Sequence, residues 1–284
     1  MVQSLQEMFA LDGKVAAVTG GGGALCGAMA VALGAMGVNV AILDNHLENA
    51  KKREKTITDA GGSAMALACD VLNSDQLQAC CTAVSKTWGP VDFLVNGAGG
   101  NHPQGTTSAA FLDQESLADA KAGTIFNLDP AQYRKVFDLN YMGTFLATQV
   151  FAQGMVERRS GCIVNISSMS ADTPLTKVAA YSSAKAAVSN FTRWLAVYFA
   201  KTGVRVNALA PGFFMTEQLR FLHVDQQTGQ LTRRAQQVIE HTPMGRYGEP
   251  ADLIGTLVWL LSDASRFVTG IVVPVDGGFS AYTI

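Results

Sequence analysis

Residues 15–19, Val-Ala-Ala-Val-Thr, run directly into four consecutive glycines, Gly20 to Gly23, and no charged residue follows until Asp44. A charge-free stretch of that length would suffice for a membrane span. Its four opening glycines, with Gly34, Gly37 and Asn39 further on, interrupt it too often for that. A β-turn-α-β unit buried in a soluble core accounts for each interruption, because glycine permits a sharp turn and a close backbone approach.

The rest of the chain repeats this rhythm. Short apolar, β-branched runs at 15–19, 39–43, 64–68, 93–96, 162–167, 204–210 and 272–275 read as strands. Between them, helical patterns fall at 25–36, 47–60, 74–88, 131–158, 181–201 and 250–262. Such alternation predicts a single-domain, doubly wound α/β fold, a Rossmann-like parallel sheet with helices on both faces. Right-handed crossovers then put the ligand crevice at the carboxyl ends of the strands. No linker, repeat or low-complexity block divides residues 1–284. Two segments break the alternation: a polar insertion at about 99–129, and a substrate loop at about 213–246 with a short helix near 233–240. Loops this long inside a compact domain are often lids or binding loops, and each follows the end of a predicted strand.

Composition excludes several functions. A net charge of −2, with no basic run interleaved with aromatics, argues against a nucleic-acid partner. The first fourteen residues include Glu7 and Asp12 and lack the apolar core of a targeting signal. Five cysteines, an odd number without a Cys-x-x-Cys pair, read as reduced thiols in a cytoplasmic protein. His46, His102, His223 and His241 lack metal-ligand spacing, so no metal site is expected.

The glycine turn opening a helix suits a pyrophosphate, whose charge the free N–H groups of a helix start would favour. Asp44 ends the second strand, where a dinucleotide fold places an acid on the adenosine ribose. A carboxylate there repels a 2′-phosphate, and neither the turn nor Asn45 and His46 beside Asp44 supplies an Arg or Lys. NAD is therefore favoured over NADP. Asp44 could instead simply cap the following helix.

Further landmarks follow in order: Thr19-Gly20, Asp70-Val71, Asn96-Gly97-Ala98-Gly99, Asn140, Ser167-Ser168, Tyr181-Ser182-Ser183-Ala184-Lys185, Arg205-Val206-Asn207, Pro211-Gly212 and Asp276-Gly277-Gly278. On these residues the chain resembles the short-chain dehydrogenase/reductase family over nearly its whole length. The resemblance implies that Gly20, Gly23 and Leu25 belong to the cofactor turn. It further implies that Asp70 and Val71 hold the adenine, that Asn96, Ala98, Pro211 and Gly212 line the cofactor, and that Thr216 reaches the nicotinamide carboxamide or the pyrophosphate. It also implies a homotetramer in which 131–158 and 181–201 pack against symmetry mates. One departure stands out: the family's second and third turn glycines fall on Ala24 and Cys26. Cys26 reads as a small buried filler rather than a redox sensor.

Tyr181 and Lys185 are four apart and share a helix face. A free tyrosine titrates near about 10, and a nearby ammonium would lower that value and let Tyr181 act as acid and base. Ser168 can hydrogen-bond the oxygen that gains charge. By resemblance, Lys185 also holds the nicotinamide ribose, and Asn140 holds a water that completes a proton relay. Within the family, the runs 96–103, 173–177, 211–218 and 241–246 most resemble the D-mannonate oxidoreductase (fructuronate reductase) subgroup. A sugar acid needs polar partners and a cation for its carboxylate. Asn101, His102, Thr176, Lys177, Glu217 and Gln218 are the candidates. Lys177 leads because it lies between Ser168 and Tyr181, whereas Arg246 reads as a loop anchor. The alternatives are another sugar-acid or polyol dehydrogenase, such as a gluconate or keto-gluconate oxidoreductase, and a non-catalytic NAD-binding regulator. The intact Asn140, Ser168, Tyr181 and Lys185 speak against the regulator. Asp44 and the polar loops speak against an acyl reductase.

Overall fold

In the computed structural model, which describes residues 4–216, 219, 223–225 and 227–283, seven parallel strands form one sheet. They are β1 (Val15–Thr19), β2 (Asn39–Asp44), β3 (Ser63–Ala68), β4 (Phe93–Asn96), β5 (Gly161–Ile166), β6 (Val204–Pro211) and β7 (Val272–Val275). Their spatial order is β3-β2-β1-β4-β5-β6-β7. The order reverses between β1 and β4, where Thr19 lies opposite Asn96, and a doubly wound sheet opens its ligand crevice at such a reversal.

The strands are buried on both faces, and period-two alternation sorts their side chains into two cores. Ala16, Val18, Val40, Ile42, Phe93 and Val95 pack under α2 (Ala24–Ala35), α3 (Leu47–Asp59) and α10 (Ile254–Leu261). Val15, Ala17, Ala41, Leu43, Leu94 and Ile163 pack under α4 (Ser74–Trp88), α7 (Gly143–Arg158) and α8 (Ala179–Tyr198). The helix expected at 131–158 is α6 (Pro130–Phe137) running into α7 through a π-helical turn, Asp138–Met142. Asp129 starts α6 by accepting the Ala131 N–H, and Pro130 fits the first helical turn, where no N–H is needed. A four-residue helix, α1 (Leu5–Met8), precedes the first strand behind a Ser4–Glu7 capping box.

The two segments that broke the alternation emerge on the crevice side of the sheet. The insertion carries a 3-10 turn at Pro103–Gly105 and one short α-helix, α5 (Gln114–Ala118). The later loop carries α9 (Arg233–His241), whose Ala235 and Val238 join Tyr247, Phe213 and Met215 in a small core separate from the two main ones. Phe279, near the end of the chain, packs on Phe213 and His241, with ring centroids 5.3 and 4.5 Å away. Among the described residues no helix is long and apolar enough to cross a membrane.

Candidate active site

The turn after β1 is shaped for an approaching ligand. Gly20 has φ 64°, and a Cβ there would lie 2.8 Å from Ala98 Cα. Gly23 caps α2 without any side-chain bond, so the first turn of that helix presents its N–H groups uncapped. Thr19 Oγ1 accepts the N–H groups of Gly97 and Ala98 at 3.0 and 3.2 Å, locking the loops after β1 and β4 together. The replaced family glycine at Cys26 is accommodated by Gly97, since a Cβ on Gly97 would overlap the Cys26 thiol. Burial pushes that thiol up to about 12, which suits a filler and not a reactive centre.

Asp44 is buried at the end of β2. Its Oδ2 accepts the Gly22 N–H at 3.0 Å and its Oδ1 the His46 N–H at 2.9 Å. These bonds orient the carboxylate while leaving acceptor capacity on both oxygens for ribose hydroxyls. No side chain could replace hydrogen at Gly22, where a Cβ would lie 2.9 Å from that Oδ2. One cation missed in the linear sequence does reach the turn: Arg53 crosses α2 at Gly27 and sits 3.5 Å from the Gly23 carbonyl. Only folding back of α3 brings it there. Val71 is buried against Gly143, and Asp70 is exposed, its Oδ1 accepting the Leu72 N–H at 2.9 Å. Asn96, expected to line the cofactor, is buried at the end of β4. Its amide Nδ2 donates inward to Thr148 Oγ1 at 3.0 Å and Asn165 Oδ1 at 2.9 Å, while its buried Oδ1 has no hydrogen-bond partner. Pro211 closes β6, Gly212 lies against Asp276, and Thr216 Oγ1 accepts the Leu219 N–H at 3.2 Å. Glu217 and Gln218 lie outside the described residues.

Four side chains converge beyond β5 and β4. Tyr181 stands in the first turn of α8, and Lys185 one turn later is almost fully buried. Lys185 Nζ donates to the Ile166 carbonyl at 2.7 Å and lies 5.6 Å from the Tyr181 ring centroid. Ser167 fixes the helix to the strand through the Lys185 carbonyl, at 3.1 Å, and Ser189, at 2.6 Å. Burial of Lys185 pulls its ammonium down to about 8. Ser168 Oγ accepts the Ser170 N–H at 3.1 Å and the Ser170 hydroxyl at 3.0 Å. Its own proton is then left to donate towards the crevice. Burial raises the Tyr181 phenol, and the nearby Ser168 hydroxyl only partly offsets that. The expected lowering by Lys185 is therefore not found in the protein alone, because the ammonium is bonded to Ile166 rather than to the phenol oxygen. Asn140 sits in the π-turn, fully buried. Its Nδ2 donates to the Gly100 and Val136 carbonyls at 2.7 and 2.8 Å, and its Oδ1 accepts the Gly100 N–H at 3.1 Å.

The substrate candidates divide. Lys177 lies in the turn before α8 with φ 73°, a left-handed conformation that costs a residue with a side chain about 1–2 kcal/mol. Asn101 and His102 are exposed, and His102 Nδ1 accepts the Gln104 N–H at 3.3 Å. Arg246 makes a two-pronged ion pair with Asp252, at 2.7 and 3.1 Å, as a loop anchor would.

A parallel sheet with a glycine turn at its switch point, an acid on the second strand and a Ser, Tyr and Lys cluster beyond it defines an oxidoreductase site. The chain belongs to the short-chain dehydrogenase/reductase family. A family model described as enoyl-(acyl carrier protein) reductase matches residues 23–280. An uncharacterized oxidoreductase of Bacillus subtilis, UxuB, is 49% identical over 275 residues, 96% of this chain and 97% of the relative. The 5-keto-D-gluconate 5-reductase of Escherichia coli is 32% identical over 277 residues, 96% and 98% of the two chains. A solved structure from Haemophilus influenzae, provisionally named a D-mannonate oxidoreductase and holding NAD, superposes with a TM-score of 0.91. It is 46% identical to this chain, with 96% of this chain and 97% of that one covered.

Proposed function

We propose that this protein uses NAD to interconvert a sugar acid and its keto form, D-mannonate and D-fructuronate, with Tyr181 as the acid and base. The observation that carries the chemistry is a buried, backbone-held Lys185 one helical turn from Tyr181, with its Nζ 5.6 Å from the Tyr181 ring centroid. Nicotinamide, when bound, supplies the acceptor or donor of the hydride. Gly20, Gly23, Leu25 and the uncapped start of α2 bind its pyrophosphate, Asp44 the adenosine ribose, and Asp70 and Val71 the adenine. Ala98, Pro211, Gly212 and Thr216 complete that wall, and Lys185 orients the nicotinamide ribose. In the reducing direction Tyr181 gives its proton to the carbonyl oxygen while Ser168 donates a hydrogen bond to the same oxygen. In the oxidising direction Tyr181 takes the hydroxyl proton back, and Asn140 orders the relay behind Lys185.

The sugar-acid reading is supported by the likeness to the Haemophilus protein with NAD, and more distantly by the likeness to the keto-gluconate reductase. Lys177, with Asn101 and His102, is the candidate grip on the carboxylate. The unpaired thiols are compatible with a cytoplasmic protein, and the exposed face of α8 with a homotetramer. The test is absorbance at the NADH band with D-mannonate, D-gluconate and neutral polyols, each with NAD and NADP. Turnover of D-mannonate with NAD alone is expected, and Tyr181→Phe should lose about a thousandfold in turnover while keeping NADH affinity. Turnover confined to another substrate would discard the sugar assignment, and an active Tyr181→Phe would remove Tyr181 from its role.

A further inference from the structure

Building on the sugar-acid reading, we infer that the insertion after β4 is a positioning device for the substrate carboxylate, acting through the hydrogen bond from Thr107 to Lys177. The insertion is closed at a neck. Ser108 N donates to the Gly123 carbonyl at 2.8 Å, and Gly123 N donates to Ser108 Oγ at 2.8 Å. Residues 108–123 therefore form a compact excursion with its ends together, the shape of an Ω-loop. Immediately outside the neck, Thr107 N donates to the Lys177 carbonyl at 3.0 Å. The hydroxyl of Thr107 is committed locally, to the Ala109 carbonyl at 2.8 Å, so its link to Lys177 is the backbone N–H alone.

The same segment is anchored at the reacting end. Gly100 exchanges two hydrogen bonds with Asn140, and a Cβ on Gly105 would lie 3.1 Å from Val136 on α6. One strap thus runs from Asn140, through the turn at Pro103–Gly105, to Lys177.

Lys177 is one of two non-glycine residues with positive φ among the described residues. The other, Arg159, caps the end of α7, where a left-handed residue is ordinary. Lys177 has no such excuse: it is half-buried, carries a charge and precedes Tyr181 by four positions. Strain held by a neighbouring element at such a place marks a side chain whose direction matters. Return of this backbone to negative φ would swing the Cα–Cβ bond, and with it the ammonium. The Thr107 N–H is what the insertion contributes to hold it. Thr107 itself is a positioning residue and touches no reacting atom.

Thr107→Pro removes that N–H, together with the hydroxyl bond to Ala109, for which Thr107→Val below is the control. It should raise the KM for D-mannonate about tenfold while kcat and the KM for NAD stay within about twofold. The KM for D-mannonamide, the uncharged analogue, should not move, and Thr107→Val, which keeps the N–H, should behave as wild type. Lys177→Gly accepts the left-handed backbone but lacks the ammonium, so it should lose the same preference for the acid, and Thr107→Pro added to it should do no further harm. An unchanged KM for the acid in Thr107→Pro, or equal losses for acid and amide, would overturn the strap. Should Thr107→Pro not fold, an unaltered acid preference in Lys177→Gly would overturn it equally. A wild-type enzyme inert towards every sugar acid would instead overturn the substrate reading, and this inference with it.

Discussion

Lys185 is kept charged in a place that disfavours charge, and the cost can be read from pH. Its ammonium titrates near about 8 in the folded protein, against an ordinary value of 10.5. Between those values the unfolded chain holds a proton that the folded chain has released, so stability rises with pH across that window. One unit is about 1.4 kcal/mol, so the full shift corresponds to about 3 kcal/mol. Thermal melting of the cofactor-free protein and of Lys185→Met should therefore give curves that are not parallel between pH 7 and pH 10, with wild type gaining relative to the variant as pH rises. The lost bond to Ile166 is the same at every pH, so only the slope reports the charge. Parallel curves would mean that the ammonium is better solvated than its burial implies. Tyr181, Lys185 and Ser168 were legible in the sequence through the family landmarks that surround them in order, and their spacing on a helix and at a strand end then places them together. Their supports were not: the Ile166 carbonyl is a backbone acceptor that any residue would provide, and the Ser170 hydroxyl matters only once the turn 169–171 has formed.

At the scale of elements, the strands and long helices were readable because each obeys one period, two or about 3.6 residues, over its whole length. The insertion obeys neither, since Ser108, Thr107 and Asn127 satisfy backbone groups inside the loop in no repeating order. The departure at Cys26 was visible in the sequence, but its partner was not, because Gly97 comes from a loop 71 residues later. The two sites should behave as a coupled pair. Gly97→Ala would drive a methyl into the Cys26 sulfur and towards the Thr19 carbonyl 3.0 Å away. A loss of about 1–3 kcal/mol is expected, the usual cost of overpacking, together with weaker NAD binding, since Gly97 shares the Thr19 lock with Ala98. Cys26→Gly in the same chain should recover most of both, as read by melting temperature and NAD titration. Additive losses in the double variant would show that the sulfur is not what Gly97 makes room for.

Among the described residues, the outer face of α8 is not explained by the molecule's own core. On α8, Phe191 turns inward while Trp194, Val197 and Tyr198 are 55%, 78% and 66% exposed. Phe191, Trp194 and Tyr198 stack in sequence, with centroids 6.2 and 4.8 Å apart, so the stripe is continuous with the buried Phe191. Scattered exposed apolar residues need no explanation, but a contiguous stripe at helical spacing is what subunit contacts are made from. The homotetramer proposed above would cover it with α8 of another copy. The sequence could not separate that reading from ordinary core, because the spacing is the same and only the burial differs. Placing a like charge on both sides of such a contact is strongly unfavourable, so Val197→Glu should shift the species seen by light scattering from tetramer to smaller forms. Turnover per protomer should persist once those forms are stable, because Asn140, Ser168, Tyr181 and Lys185 all come from one chain. A wild-type protein that is monomeric, or a Val197→Glu variant that remains tetrameric, would show that this stripe is not where the copies meet.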